Sequence, residues 1–193
     1  MLKKDAEIIQ FIIETKESIN ISDISKKLGM NYKNVYSIIK RLEKESIVRL
    51  EPFGKSNKVM LVNKLTPTVF QAEYSRRNGI LKNKNLSVML NSFRKGLKIK
   101  CYILLIFGSF ASKSEKKGSD IDLMFIVPSG EEIIEKEVDR LAKALPLPLH
   151  IFVFSEQQFL DMLDSKEQNV AKEAAANYII LQGIESYYDL NDR

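Results

Sequence analysis

Two continuous apolar runs, Tyr102 to Phe107 and Leu123 to Val127, constrain this chain more than any other feature. They are too short for ordinary helices and too continuous for strands with one wet face, so both read as strands covered on two sides. The first run stops at Gly108-Ser109, and the second is preceded by Ser119-Asp120-Ile121-Asp122. Residues i and i+2 of a strand share a face, so Asp120 and Asp122 set two carboxylates side by side where the second strand begins. Carboxylates that close repel each other. A divalent cation relieves the repulsion, and an all-oxygen donor pair favours Mg²⁺. Gly108 allows close approach of backbone to a phosphate, and Ser109 with the N–H groups after it can bind phosphate oxygens.

Charge divides the chain. Residues 1–65 hold 13 Lys/Arg against 8 Asp/Glu, residues 66–100 hold 8 against 1, and residues 101–193 hold 9 against 16. A basic first half suits a polyanion and the acidic second half does not, which points to two modules. No apolar stretch approaches the roughly 20 residues needed to cross a bilayer, and the N-terminus has no apolar signal-peptide core. The single cysteine, Cys101, excludes an intramolecular disulfide or a cysteine-based zinc site and reads as a small core residue; the expected compartment is the cytoplasm.

In the first module, Leu2, Ala6, Ile9 and Ile13 recur at helical spacing and predict a helix over 2–18. A short helix follows, capped by Ser22 and ended by Gly29. Asn31 caps a third, whose Val35, Ile38, Ile39 and Leu42 face inward. That leaves Tyr32, Lys33, Asn34, Tyr36, Ser37, Lys40, Arg41 and Lys44 outward. Residues 47–51 and 58–62 read as strands joined by the turn Pro52 to Asn57. The string ISDISKKLGMNYKNVYSIIKRLEKESIV and the hairpin after it resemble winged helix-turn-helix transcription regulators over about residues 1–63. The resemblance implies binding to double-stranded DNA, with Lys33, Asn34, Tyr36, Ser37, Lys40 and Arg41 toward the major groove and Lys55 and Lys58 on phosphates. Protein docking is the other use of such a module, and homodimerisation is left open.

Residues 64–96 are expected to form a helical linker, with one helix from Pro67 to about Arg77 closed by Asn78-Gly79 and another ending at Gly96. Arg94, Lys95, Lys98 and Lys100 either extend a nucleic-acid surface or draw in phosphates, unless they only solvate a helix. Beyond them, GSFASKSEKKGSDIDLMFIV resembles the GS…DxD signature of polymerase-β-type nucleotidyltransferases of the minimal branch, over about residues 97–190 of a third segment, 97–193. The resemblance implies a small mixed sheet with flanking helices, so the chain as a whole is α+β. It implies Gly108, Ser109 and Ser119 as nucleotide-binding residues, Asp120 and Asp122 as metal ligands, Mg²⁺ or Mn²⁺ as cofactor, and ATP or another NTP as substrate. Ser129 with Glu132, and Ser155 with Gln158, read as capping boxes.

The family's third carboxylate belongs on the third strand, where PLPLHIFVFS offers His150 instead. Imidazole ligates Mg²⁺ poorly but suits Mn²⁺, and it can take a proton near neutral pH. Three readings stand together: His150 replaces the missing acid in catalysis, it is an ordinary strand histidine beside a site that binds nucleotide without turnover, or another acid such as Glu156 serves. The function implied is nucleotidyl transfer to a protein hydroxyl, as on a toxin-like ribonuclease partner, or to a small molecule. The alternative is a transcription regulator whose degenerate second domain senses a nucleotide or a partner.

Overall fold

The computed structural model describes residues 4–15, 19–54, 56–62, 64–116 and 118–191. The chain forms two compact units, Met1–Arg76 and Arg77–Arg193. In the first, α1 (Lys4–Glu14), α2 (Ile21–Leu28) and α3 (Tyr32–Lys44) precede a hairpin of β1 (Val48–Phe53) and β2 (Ser56–Leu61). The first helix buries Ala6 and Ile9 as expected, together with Ile8 and Ile12, while Ile13 is only half-buried and Leu2 lies outside the described residues. Asn20 rather than Ser22 caps α2, in a reciprocal box with Asp23, because its β-region backbone lets its side chain reach the Asp23 N–H at 3.0 Å. A feature invisible in the sequence pins the hairpin. Asn20 forms an antiparallel bridge with Lys58, and the Val59 N–H donates to the Ile19 carbonyl at 2.8 Å. The turn is tighter than expected, since Pro52 and Asn57 pair across the strands. Pro survives there because a two-stranded ribbon leaves one side of each strand without a ladder.

The segment expected as a linker is shared between the units. Helix α4 (Pro67–Ile80) runs through Asn78-Gly79 instead of stopping there. It buries Val69, Ala72, Glu73 and Arg76 within the first unit, where the Arg76 guanidinium meets the Glu73 carboxylate at 2.7 Å and Glu14 at 3.6 Å. Helix α5 (Lys84–Gly96) belongs to the second unit, whose core takes in Leu86, Met89, Leu90 and Phe93.

That second unit is built on β3 (Ile103–Phe107), β4 (Ile121–Val127), β5 (Leu149–Ser155) and β6 (Tyr178–Gln182), in the order β5-β4-β3-β6. β3 runs antiparallel to β4 and β6, and β4 runs parallel to β5. The sheet is therefore mixed, and all five residues of β3 are buried, as the apolar run demanded. One face packs on α5 and on α7 (Glu131–Ala142) through Ile134 and Val138. α6 (Gly108–Ala111), α8 (Glu156–Asp164), α9 (Val170–Ala176) and α10 (Ile184–Leu190) complete the unit. Ser155 and Gln158 form the expected capping box on α8. α7 begins instead at Gly130, left-handed at φ 74° and without a side-chain cap, so the box expected from Ser129 and Glu132 does not form. Cys101 lies exposed just before β3, one residue short of the buried run, and is not a core residue. Among the described residues, no helix is long and apolar enough to cross a membrane.

Candidate functional site

In the second unit the strand register does the assembling. Asp122 stands opposite Phe107 on β3 and opposite His150 on β5, so the end of the first strand, the acidic position and the histidine lie in one row across the sheet. Residues in register share a face. His150 Nδ1 accordingly lies 3.2 Å from Asp122 Oδ1, with the imidazole largely exposed and the carboxylate about a quarter exposed. The ring is also held from behind by Phe152, two residues along the same face, at 4.5 Å between centroids.

Immediately after Phe107 the chain turns at Gly108, whose φ of +63° a side chain rarely adopts. A Cβ at this position would lie 2.5 Å from Asp122 Oδ2. Glycine is therefore required twice here, by its conformation and by the carboxylate against which its backbone lies. The turn is held by hydrogen bonds that the sequence did not reveal. Ser112 Oγ donates to the Gly108 and Ser109 carbonyls at 3.1 Å each, and Asn177, which follows α9, donates to the Gly108 carbonyl at 3.4 Å. Asp120 is exposed, one residue ahead of β4, on the parity of Asp122. Ser119 is occupied locally, because its hydroxyl accepts from the Lys116 N–H at 2.9 Å and closes the loop before β4. Glu156 lies six positions along from His150 at the far end of β5, about 20 Å away at the rise of a strand. It does not reach Asp122. Among the described residues, no three His, Cys, Asp or Glu side chains group as a metal site.

Three of the four cations ahead of β3 have structural duties. Arg94 donates to the Gln182 side chain at 2.9 Å and to the Leu181 carbonyl at 3.3 Å, fastening α5 to β6. Lys98 faces Glu137 at 3.7 Å, and Lys100 caps the carbonyls of Arg94 and Leu97. Cations near a helix C-terminus can satisfy its orphan carbonyls, and Lys100 does so after α5.

In the first unit, Lys33, Asn34, Tyr36, Ser37, Lys40 and Arg41 all lie exposed on α3. The helix is capped by Asn31, whose side chain accepts from the Lys33 N–H at 2.9 Å. Two of the cations are engaged within the unit: Lys40 pairs with Glu43, which raises the Lys40 pKa, and Arg41 pairs with Asp5 at 2.6 Å. Tyr32 and Tyr36 stack at 6.2 Å, one turn apart and both about half exposed. Lys58 lies half-buried in mid-strand, opposite Glu51. Lys55, also expected on the wing, lies outside the described residues.

Residues 1–49 match the family model described as winged helix-turn-helix DNA-binding, and residues 92–177 match the model of the nucleotidyltransferase domain. The chain joins a winged helix-turn-helix DNA-binding domain to a nucleotidyltransferase domain. No curated protein matches it. The nucleotidyltransferase match spans β3 to α9 and so takes in Gly108, Asp120, Asp122 and His150. The winged-helix match ends within β1, short of the wing tip.

Sequence reasoning had no access to Ser112, Asn177 or Phe152 as parts of the site. Asn177 is nearly 70 positions from the turn it holds, and Phe152 reads simply as one apolar residue of a strand. Ser112 acts locally, three and four residues from the carbonyls it binds, whereas only the strand order brings Asn177 to Gly108 and the His150–Phe152 pair to Asp122.

Proposed function

We propose that this protein binds DNA through its first domain and, in its second, holds a metal-bound nucleoside triphosphate and transfers the nucleotidyl group to a hydroxyl of a protein or small molecule. The observation that carries the reading is the meeting of Gly108, Asp122 and His150. A turn that admits no side chain lies directly against a carboxylate, and a second acid, Asp120, lies one residue ahead of the strand that carries it. The donor set fits a hard divalent cation, since Asp120 and Asp122 offer oxygen ligands at the head of β4. Such a cation would neutralise the triphosphate and stabilise charge developing at the α-phosphorus. Gly108 and Ser109 would hold phosphate oxygens, Asp120 and Asp122 the cation, and His150 would orient Asp122 through Nδ1 while leaving its exposed edge toward the acceptor.

A second reading has its own support. His150 stands where a third carboxylate would complete the site, and its bond to Asp122 engages one of the two oxygens a metal would use. On this account the domain senses a nucleotide and reports it to the DNA-binding half. Incubation of the protein with α-labelled ATP, Mg²⁺ or Mn²⁺ and cell extract separates the two. Label transferred by the wild type and abolished by Asp120→Asn with Asp122→Asn supports transfer. Binding of labelled ATP without transfer supports sensing, and the absence of both binding and transfer refutes both readings.

A further inference from the structure

We propose that Phe53 is an apolar wedge that enters the minor groove and bends the duplex bound by the winged helix. The inference rests on the DNA-binding reading of the first domain and adds how its wing engages the duplex. Phe53 ends β1 and is 62% exposed, the most exposed large apolar side chain described in this domain. An aromatic ring left in water at the hairpin end forgoes the burial that insertion between bases would supply.

The ring does not hang from a loose loop. Cross-strand pairing runs to the last pair, Phe53 with Ser56, and Ser56 Oγ donates to the Phe53 carbonyl at 3.3 Å. Pro52 fixes the backbone immediately before it. Strand parity sends Val48 to the core, while Arg49, Glu51 and Phe53 share the outer face.

The charge around it argues against a purely electrostatic wing. Arg49 pairs with Glu51 at 2.6 Å on that same face. On α3, Lys40 and Arg41 are likewise paired with acids of their own domain, while the stacked Tyr32 and Tyr36 present their rings. The surface offered to a duplex is thus rich in exposed rings, with several of its cations already neutralised. Proteins that insert an apolar side chain between base steps unstack them and kink the duplex, and flexible pyrimidine–purine steps yield most readily.

The test uses the full chain and a duplex of about 30 base pairs that it selects from a random pool, with dyes at both ends to report bending by energy transfer. Wild type is expected to bend the duplex by some tens of degrees. Phe53→Ala is expected to lose more than half of that bend, and Phe53→Leu, which keeps an apolar wedge, to retain most of it. Placing a pyrimidine–purine step at the bend should tighten wild-type binding several-fold and leave Phe53→Ala indifferent. A duplex bound straight by wild type, or bent equally by Phe53→Ala, overturns the wedge and leaves DNA binding intact. Failure to recover any duplex in a salt-dependent manner overturns DNA binding and the wedge with it. Because Phe53 is exposed, an unchanged melting temperature for Phe53→Ala verifies that the fold survives.

Discussion

Substituting Gly108 by alanine tests the close approach on which the candidate site is built. Two costs are separable. An L-residue held at the left-handed φ of +63° loses about 1–2 kcal/mol whatever surrounds it. The new Cβ, 2.5 Å from Asp122 Oδ2, adds about 1–3 kcal/mol of overpacking unless the carboxylate swings aside and gives up His150. Gly130, at φ 74° with nothing within 4 Å of its would-be Cβ, carries only the first cost and serves as the control. Native-state hydrogen exchange at the amides of β3 and β4 reads the stability of this domain alone, and each 1.4 kcal/mol speeds exchange about tenfold. Gly130→Ala should accelerate it roughly tenfold, and Gly108→Ala by a further factor of about ten. Adding Asp122→Ala should erase the excess, because the double variant has no carboxylate to strike. Equal effects of Gly108→Ala and Gly130→Ala, with or without Asp122, would refute the reasoning.

Other consequences follow from particular contacts. His150→Asp restores a carboxylate opposite Asp122, and Mn²⁺- or Mg²⁺-dependent retention of labelled ATP should rise about tenfold; unchanged retention in equilibrium dialysis would mean that this position plays no part in holding the metal nucleotide. Asp5→Ala releases Arg41 toward the exposed face of α3, so duplex binding should tighten and its logarithmic salt dependence steepen by about one; a flat response in a salt titration would place Arg41 away from phosphate. Burial raises the Tyr102 pKa, against a smaller opposing effect from Arg94, and its hydroxyl has no hydrogen-bond partner among the described residues. The neutral phenol is favoured by the fold, so its contribution is complete below about pH 10 and is lost as pH rises through the elevated value. Tyr102→Phe should therefore be as stable as wild type or about 1 kcal/mol more stable at neutral pH, and should flatten the fall in urea midpoint on the alkaline side; a loss of 2 kcal/mol at pH 7 would reveal a partner for that hydroxyl.

Local features of this protein were written in the order of its residues. Continuous apolar runs could only be covered strands, and the 3.6-residue spacing of Val35, Ile39 and Leu42 set which face of α3 met solvent. Asp120 and Asp122 declared themselves by alternation, and Ser155 with Gln158 by the reach of a capping box, because both patterns act over four residues or fewer. What spans the sequence was decided elsewhere. Nothing local tells a strand which neighbour it takes, so the order β5-β4-β3-β6, and with it the meeting of His150 and Asp122, was decided by the tertiary pairing of strands distant in sequence. The same holds for charge. A count of Lys and Arg suggested a bare cationic surface on α3, but the fold closes Arg41 onto Asp5 across 36 positions and spends Arg94 on β6, since a cation is satisfied by whichever acceptor the tertiary structure brings within reach.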